Sequence, residues 1–130
     1  WQSALIPNYY KNEYEGISDF YKKIKSVLVI HDSDDYSKVD RSDLVKMGVE
    51  IDPKIKGNKL NIYDVASYNA DAILIMDRPG EKISSKLLKK AAFKDNQKKV
   101  TVFEQEDLED IDFYAMTESL NQIVSDITSK

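Results

Sequence analysis

The stretch DAILIMD (71–77) constrains this chain most. Five apolar residues stand in a row between two aspartates. A run this short, rich in Ile and Leu, fits a strand covered on both faces. Two further runs are of the same kind, SVLVI (26–30) and KVTVF (99–103), and VEID (49–52, ended by Pro53) reads as another strand. Helical patterns lie around and between them. Ile17, Phe20, Tyr21 and Ile24 recur at three- and four-residue spacing over 12–25. Asp40 is placed to cap a helix carrying Leu44, Val45 and Met47 and stopped by Gly48. Asn58 is placed to cap a helix running to Asn69, with Leu60, Tyr63 and Ala66 inward. Ser84 or Ser85 caps the next, which carries Leu87, Leu88, Ala91 and Ala92. The last helix aligns Phe113, Met116, Leu120, Ile123, Val124 and Ile127.

The order is therefore α, then β-α-β-α-β-α-β-α. Short apolar strands alternating with amphipathic helices imply a mainly parallel sheet covered on both faces. Right-handed crossovers leave few topologies. The expected fold is α/β, a three-layer Rossmann-like or flavodoxin-like sandwich of about four strands. A modified BRCT-type sheet is the alternative, and the extra helical segment at 58–69 counts against it. Whether a fifth strand forms near 112–114 stays open. The expected organisation is an amino-terminal segment and helix over 1–25 and a single α/β domain over 26–130.

Composition narrows the chemistry. With 130 residues and 42% hydrophobic content, the chain can fill one core. The net charge of -4 gives no general pull towards nucleic acid, which would need a local basic patch. The absence of cysteine excludes thiol catalysis, thiolate zinc sites and disulfides within the chain. His31 is the one histidine, so two-histidine metal sites are excluded as well. The longest apolar runs, about five residues, are far short of a membrane span. Neither G-x-G-x-x-G nor G-x-x-x-x-G-K-[ST] occurs. The chain starts at Trp1 rather than Met, which suggests a processed product or part of a larger protein. The expected location is the cytoplasm.

In an open parallel sheet, ligands bind beyond the carboxyl ends of the strands. Three segments should meet there: HDSDD (31–35), DRPGE (77–81) and EQED (104–107). Asp32, Asp34, Asp35 and Asp77 are the candidate Mg²⁺ ligands, since gathered carboxylates suit that hard cation. The same aspartates also serve as turn formers and helix caps. His31 is the candidate general base, or a structural partner of an aspartate. Arg78, Gly80 and Ser84 are the candidate ligand contacts. Free N–H groups at a helix start can hold an anion, and Arg78 can add a bidentate contact. Pro79-Gly80 also reads simply as a turn. The Tyr-rich start (Tyr9, Tyr10, Tyr14) either packs on the sheet or contacts a partner.

VLVIHDSDD (27–35) and ILIMDRPGEKI (73–83) together resemble the Toprim domain of topoisomerases, primases and small RNA-maturation nucleases. VLVIHDSDD is similar to that family's strand ending in Glu-Gly. ILIMDRPGEKI is similar to its strand ending in Asp-x-Asp, followed by a Pro-Gly-Glu-Lys-Ile-type turn. The resemblance spans roughly 24–105 and implies Mg²⁺-dependent phosphodiester or phosphoryl chemistry. His31 stands where the family has its glutamate, Asp32 where it has glycine, and Ile75 where it has the first aspartate. Response-regulator receivers and nucleoside deoxyribosyltransferase-like proteins are similar over the same strand ends. The latter resemblance rests on DVASYNADAILIM (64–76) and implies a nucleotide or nucleoside ligand. The expected function is a non-catalytic or degenerate Rossmann-like binding or interaction module, with a small anionic ligand or a protein partner. The Mg²⁺-dependent enzyme and the nucleotide- or nucleoside-binding domain are the alternatives.

Overall fold

The computed structural model describes residues 2–32, 37–107 and 109–129. Its centre is a parallel three-strand sheet in the order β1 (Val27–Ile30), β4 (Ala72–Asp77), β5 (Val100–Glu104). Val27 pairs with Ala72 and Ile30 with Ile75, while Ile73 pairs with Val100 and Asp77 with Glu104. The central strand is the one with the longest apolar run. Residues 72–75 are all buried, as expected of a strand paired on both sides and covered on both faces. A separate antiparallel ribbon joins β2 (Lys38–Asp40) to β3 (Lys59–Asn61).

The alternation of side chains along each strand sorts the core into two faces. Leu28, Ile30, Ile73 and Ile75 point into the larger core. There they meet Leu44 of α3 (Arg41–Lys46), Ile62 and Val65 of α4 (Ile62–Asn69), Leu87 of α5 (Ile83–Leu87) and Phe93 of α6 (Ala91–Asp95). Ala4 and Leu5, in a 3-10 turn before α1 (Ile6–Tyr9), belong to this same core. The opposite face is covered by one helix, α7 (Phe113–Thr128). Its Met116, Leu120, Ile123 and Ile127 pack on Ala72, Leu74 and Phe103. The Asp112 side chain starts α7 by accepting from the Ala115 N–H at 3.0 Å. No helix among the described residues is long and apolar enough to cross a membrane.

The amino ends of β1 and β4 are clamped by Asp71. Its carboxylate accepts from the Ser26 N–H at 2.8 Å and faces Lys11 at 3.6 Å. Lys99 lies beside it, its ammonium held below the usual lysine range by burial and then by the Lys11 charge. It donates to the carbonyls of Ser67 and Tyr68, which ties this end of the sheet to α4.

Several expectations are corrected. Among the described residues the sheet has three strands, and 49–52 runs alongside the core unpaired. Fully buried Asn8 donates to the Glu50 carbonyl at 2.7 Å, occupying an acceptor that a neighbouring strand would use. β1 therefore lies at an edge rather than inside. The helix over 12–25 is replaced by a π-turn (Tyr10–Tyr14), a bend through Gly16 and a single turn, α2 (Asp19–Lys22). Short helices are marginal without a face to bury, and here Ile17 and Phe20 are exposed. Residues 59–61 extend into a strand, so α4 is capped by Asn61, whose side chain accepts from the Tyr63 N–H at 2.8 Å. The helix after Ser84 breaks in two where Lys90 is extended. Phe113 and Val124, expected inward on the last helix, are exposed. Residues 113–114 open α7 and form no fifth strand.

Candidate ligand cleft at the carboxyl end of the sheet

β4 ends in Asp77, and Arg78, Pro79 and Gly80 come directly after it. The Arg78 and Glu81 backbones pair across Pro79-Gly80, with N···O distances of 3.2 and 3.0 Å. Gly80 has φ +80°, the left-handed value that the third position of a type II turn requires. The turn folds the chain back so that Ser84, in the first turn of α5, sits over Asp77. Asp77 is 2% exposed. Its Oδ1 accepts from the Ser84 N–H at 2.8 Å and its Oδ2 accepts from the Ser84 hydroxyl. The helix start expected to hold an external anion thus already holds the chain's own carboxylate. Ser84 is committed to that contact, and both oxygens of Asp77 are engaged with it.

β1 ends differently. His31 is exposed, and its Nδ1 stands 3.5 Å from Asp32 Oδ2. Asp32 Oδ1 is buried without a hydrogen-bond partner among the described residues. Asp34 and Asp35 lie outside the described residues. Among the described residues, no group of three or more His, Asp or Glu side chains gathers as a metal site. At the end of β5, Glu104 pairs with Lys82 at 3.4 Å. The next residue, Gln105, is tied to β4 by its N–H, which donates to the Asp77 carbonyl at 2.8 Å.

The described parts of the three segments expected to meet come together at one residue each. His31, Arg78 and Gln105 stand on the rim of one cleft of about 470 Å³. Its floor is Val29, Leu74 and Met76, which alternation places on the α7 side of the sheet. Its wall is Ile111 with Met116 and Leu120 of α7. The cleft exists because a single helix covers this face and lies over β4 and β5, leaving Val29 of β1 41% exposed. Arg78, Pro79, Gly80 and Asp77 also meet Glu104–Glu106 at a smaller depression of about 160 Å³. Among the described residues, the Arg78 guanidinium has no hydrogen-bond or ion-pair partner.

The cleft's apolar lining is what reasoning from motifs misses. The strand alternation and the stripe on the last helix both carry the signal, but neither says that the helix leaves one strand uncovered. Comparison with protein-family models, curated proteins and solved structures finds no match to this chain.

Proposed function

We propose that this chain is a non-catalytic binding module of reduced Rossmann-like architecture. Its cleft takes a small ligand with an apolar body and an anionic head. The observation that carries the reading is an apolar cleft lined in part by Arg78, whose guanidinium has no partner among the described residues. Pockets for small molecules are mostly apolar, with a few convergent polar groups that fix orientation. Val29, Leu74, Met76, Met116 and Leu120 suit the body. Arg78 suits a carboxylate or phosphate, and His31 and Gln105 add polar contacts.

Octanoate and octanol are the probes. Octanoate should bind more tightly, and Arg78→Gln should weaken octanoate about tenfold while leaving octanol unchanged. Equal loss for both, or no binding of either at millimolar concentration, would sink the proposal.

A second reading is Mg²⁺-dependent phosphoryl chemistry at a degenerate Toprim-like site. It is favoured by the partnerless Asp32 Oδ1, since an orphan carboxylate oxygen invites a cation. Asp32, Asp34, Asp35 and Asp77 would be the ligands and His31 the base. Asp77 would first have to leave Ser84. Mn²⁺ should then broaden the amide signals of His31, Asp32 and Asp77 selectively. Uniform or absent broadening would remove this reading.

A further inference from the structure

Gln105 bears on the head group of the cleft's ligand, and what it implies rests on the cleft reading above. The residue is 9% exposed, yet it lines both the cleft and the smaller depression beside it. Arg78 is the other described residue common to the two. Gln105 is held at its backbone and at its side chain. Its N–H donates to the Asp77 carbonyl at 2.8 Å, and its Nε2 donates to the Asp107 carbonyl. A carbonyl only accepts, so the amide nitrogen is the atom at Asp107 and the amide oxygen is turned away from it. Among the described residues Oε1 accepts no hydrogen bond, and it is not sealed from solvent. A side chain this buried, with a fixed acceptor left over, calls for a donor from outside the chain.

The charges around this shared wall are of both signs. Arg78 supplies a guanidinium with no partner among the described residues. The depression adds three carboxylates, those of Asp77, Glu104 and Glu106. Asp77 is held by Ser84, and Glu104 pairs with Lys82 at 3.4 Å. Glu106 is exposed and has no ion-pair or hydrogen-bond partner among the described residues. Where the two cavities adjoin, the chain thus offers a free cation, a free anion and a neutral acceptor. A purely anionic head would serve Arg78, leave Gln105 Oε1 unmet and face Glu106 as a like charge. A head with a carboxylate and an ammonium on adjacent atoms answers all three. The depression, at about 160 Å³, has room for such a group but not for an apolar body as well.

We propose that the cleft takes an α-amino acid with an apolar side chain. Its carboxylate meets Arg78. Its ammonium donates to Gln105 Oε1 and pairs with Glu106, and its side chain enters the cleft over Val29, Leu74 and Met76.

The test compares octanoate with L-2-aminooctanoate, which differs from it by the amino group, by calorimetry on the whole chain at neutral pH. The amino acid should bind about tenfold more tightly. Glu106→Gln should remove several-fold of that advantage without weakening octanoate. Gln105→Leu, which keeps the backbone bond to Asp77, should do the same. Glu106→Gln, at an exposed position, decides the matter if Gln105→Leu does not fold. Binding of the two probes within about twofold of each other would overturn the proposal and leave the cleft reading standing. An advantage unchanged in the variants, or equal loss of both probes, would also overturn it. No binding of either probe at millimolar concentration would remove the cleft reading and this proposal together.

Discussion

β1 and β4 run side by side and both lead into acidic residues, yet their ends have opposite fates. Asp77 at the end of β4 is buried, and both its carboxylate oxygens accept from Ser84. Asp32, just beyond β1, has a buried oxygen with no partner among the described residues and a distant approach to His31. After β4, a Pro-Gly turn returns the chain so that a helix starts directly over the carboxylate. After β1, residues 33–36 lie outside the described residues, and the next described α-helix, α3, begins at Arg41 beyond the short strand β2. An acid at a strand end is structural when a helix start folds back on it. At the end of β1, no such helix start stands over Asp32 among the described residues.

The largest effect that can break this comparison is at Asp77. Asp77→Ala leaves the Ser84 N–H and hydroxyl buried without acceptors, and should lower stability by about 3 kcal/mol in urea unfolding at unchanged slope. Next is Ser84→Ala, which removes the hydroxyl donor but keeps the backbone bond, at about 1.5 kcal/mol. Gly80→Ala should cost about 1 kcal/mol. A β-carbon there meets nothing within 4 Å, so the cost is that of the left-handed backbone alone. The smallest effect is Asp32→Asn, within about 0.5 kcal/mol of the parent, because among the described residues its Oδ1 has no hydrogen-bond partner and its Oδ2 only a 3.5 Å approach to His31. If Asp32→Asn proved as damaging as Asp77→Ala, the two ends would be alike and the comparison would fail.

The parallel strands were legible because their apolar runs are continuous. β4 and β5 lie where AILIM and VTVF place them, and the Gly48 stop, with φ +77°, fits its position after an amphipathic turn. The edge position of β1 was not legible. It goes with residues 49–52 staying unpaired, where buried Asn8 takes the Glu50 carbonyl, a contact across 42 positions that leaves no local pattern. Residues 12–25 carry a helical period, yet no surface is available to bury Ile17 and Phe20, so periodicity alone misled there. At the site, topology correctly brought 31, 78 and 105 to one end. The fate of each acid was set by turn geometry: Asp77 was legible as a strand-end aspartate, but not as the partner of Ser84.

The most direct test of the proposed cleft is an intermolecular NOE map with octanoate on methyl-labelled protein. The account predicts contacts from the octanoate chain to Val29, Leu74, Met76, Met116 and Leu120, with its carboxylate end nearest Arg78. Contacts confined to the Ile17–Phe20 surface, or spread evenly over exposed methyls, would contradict it.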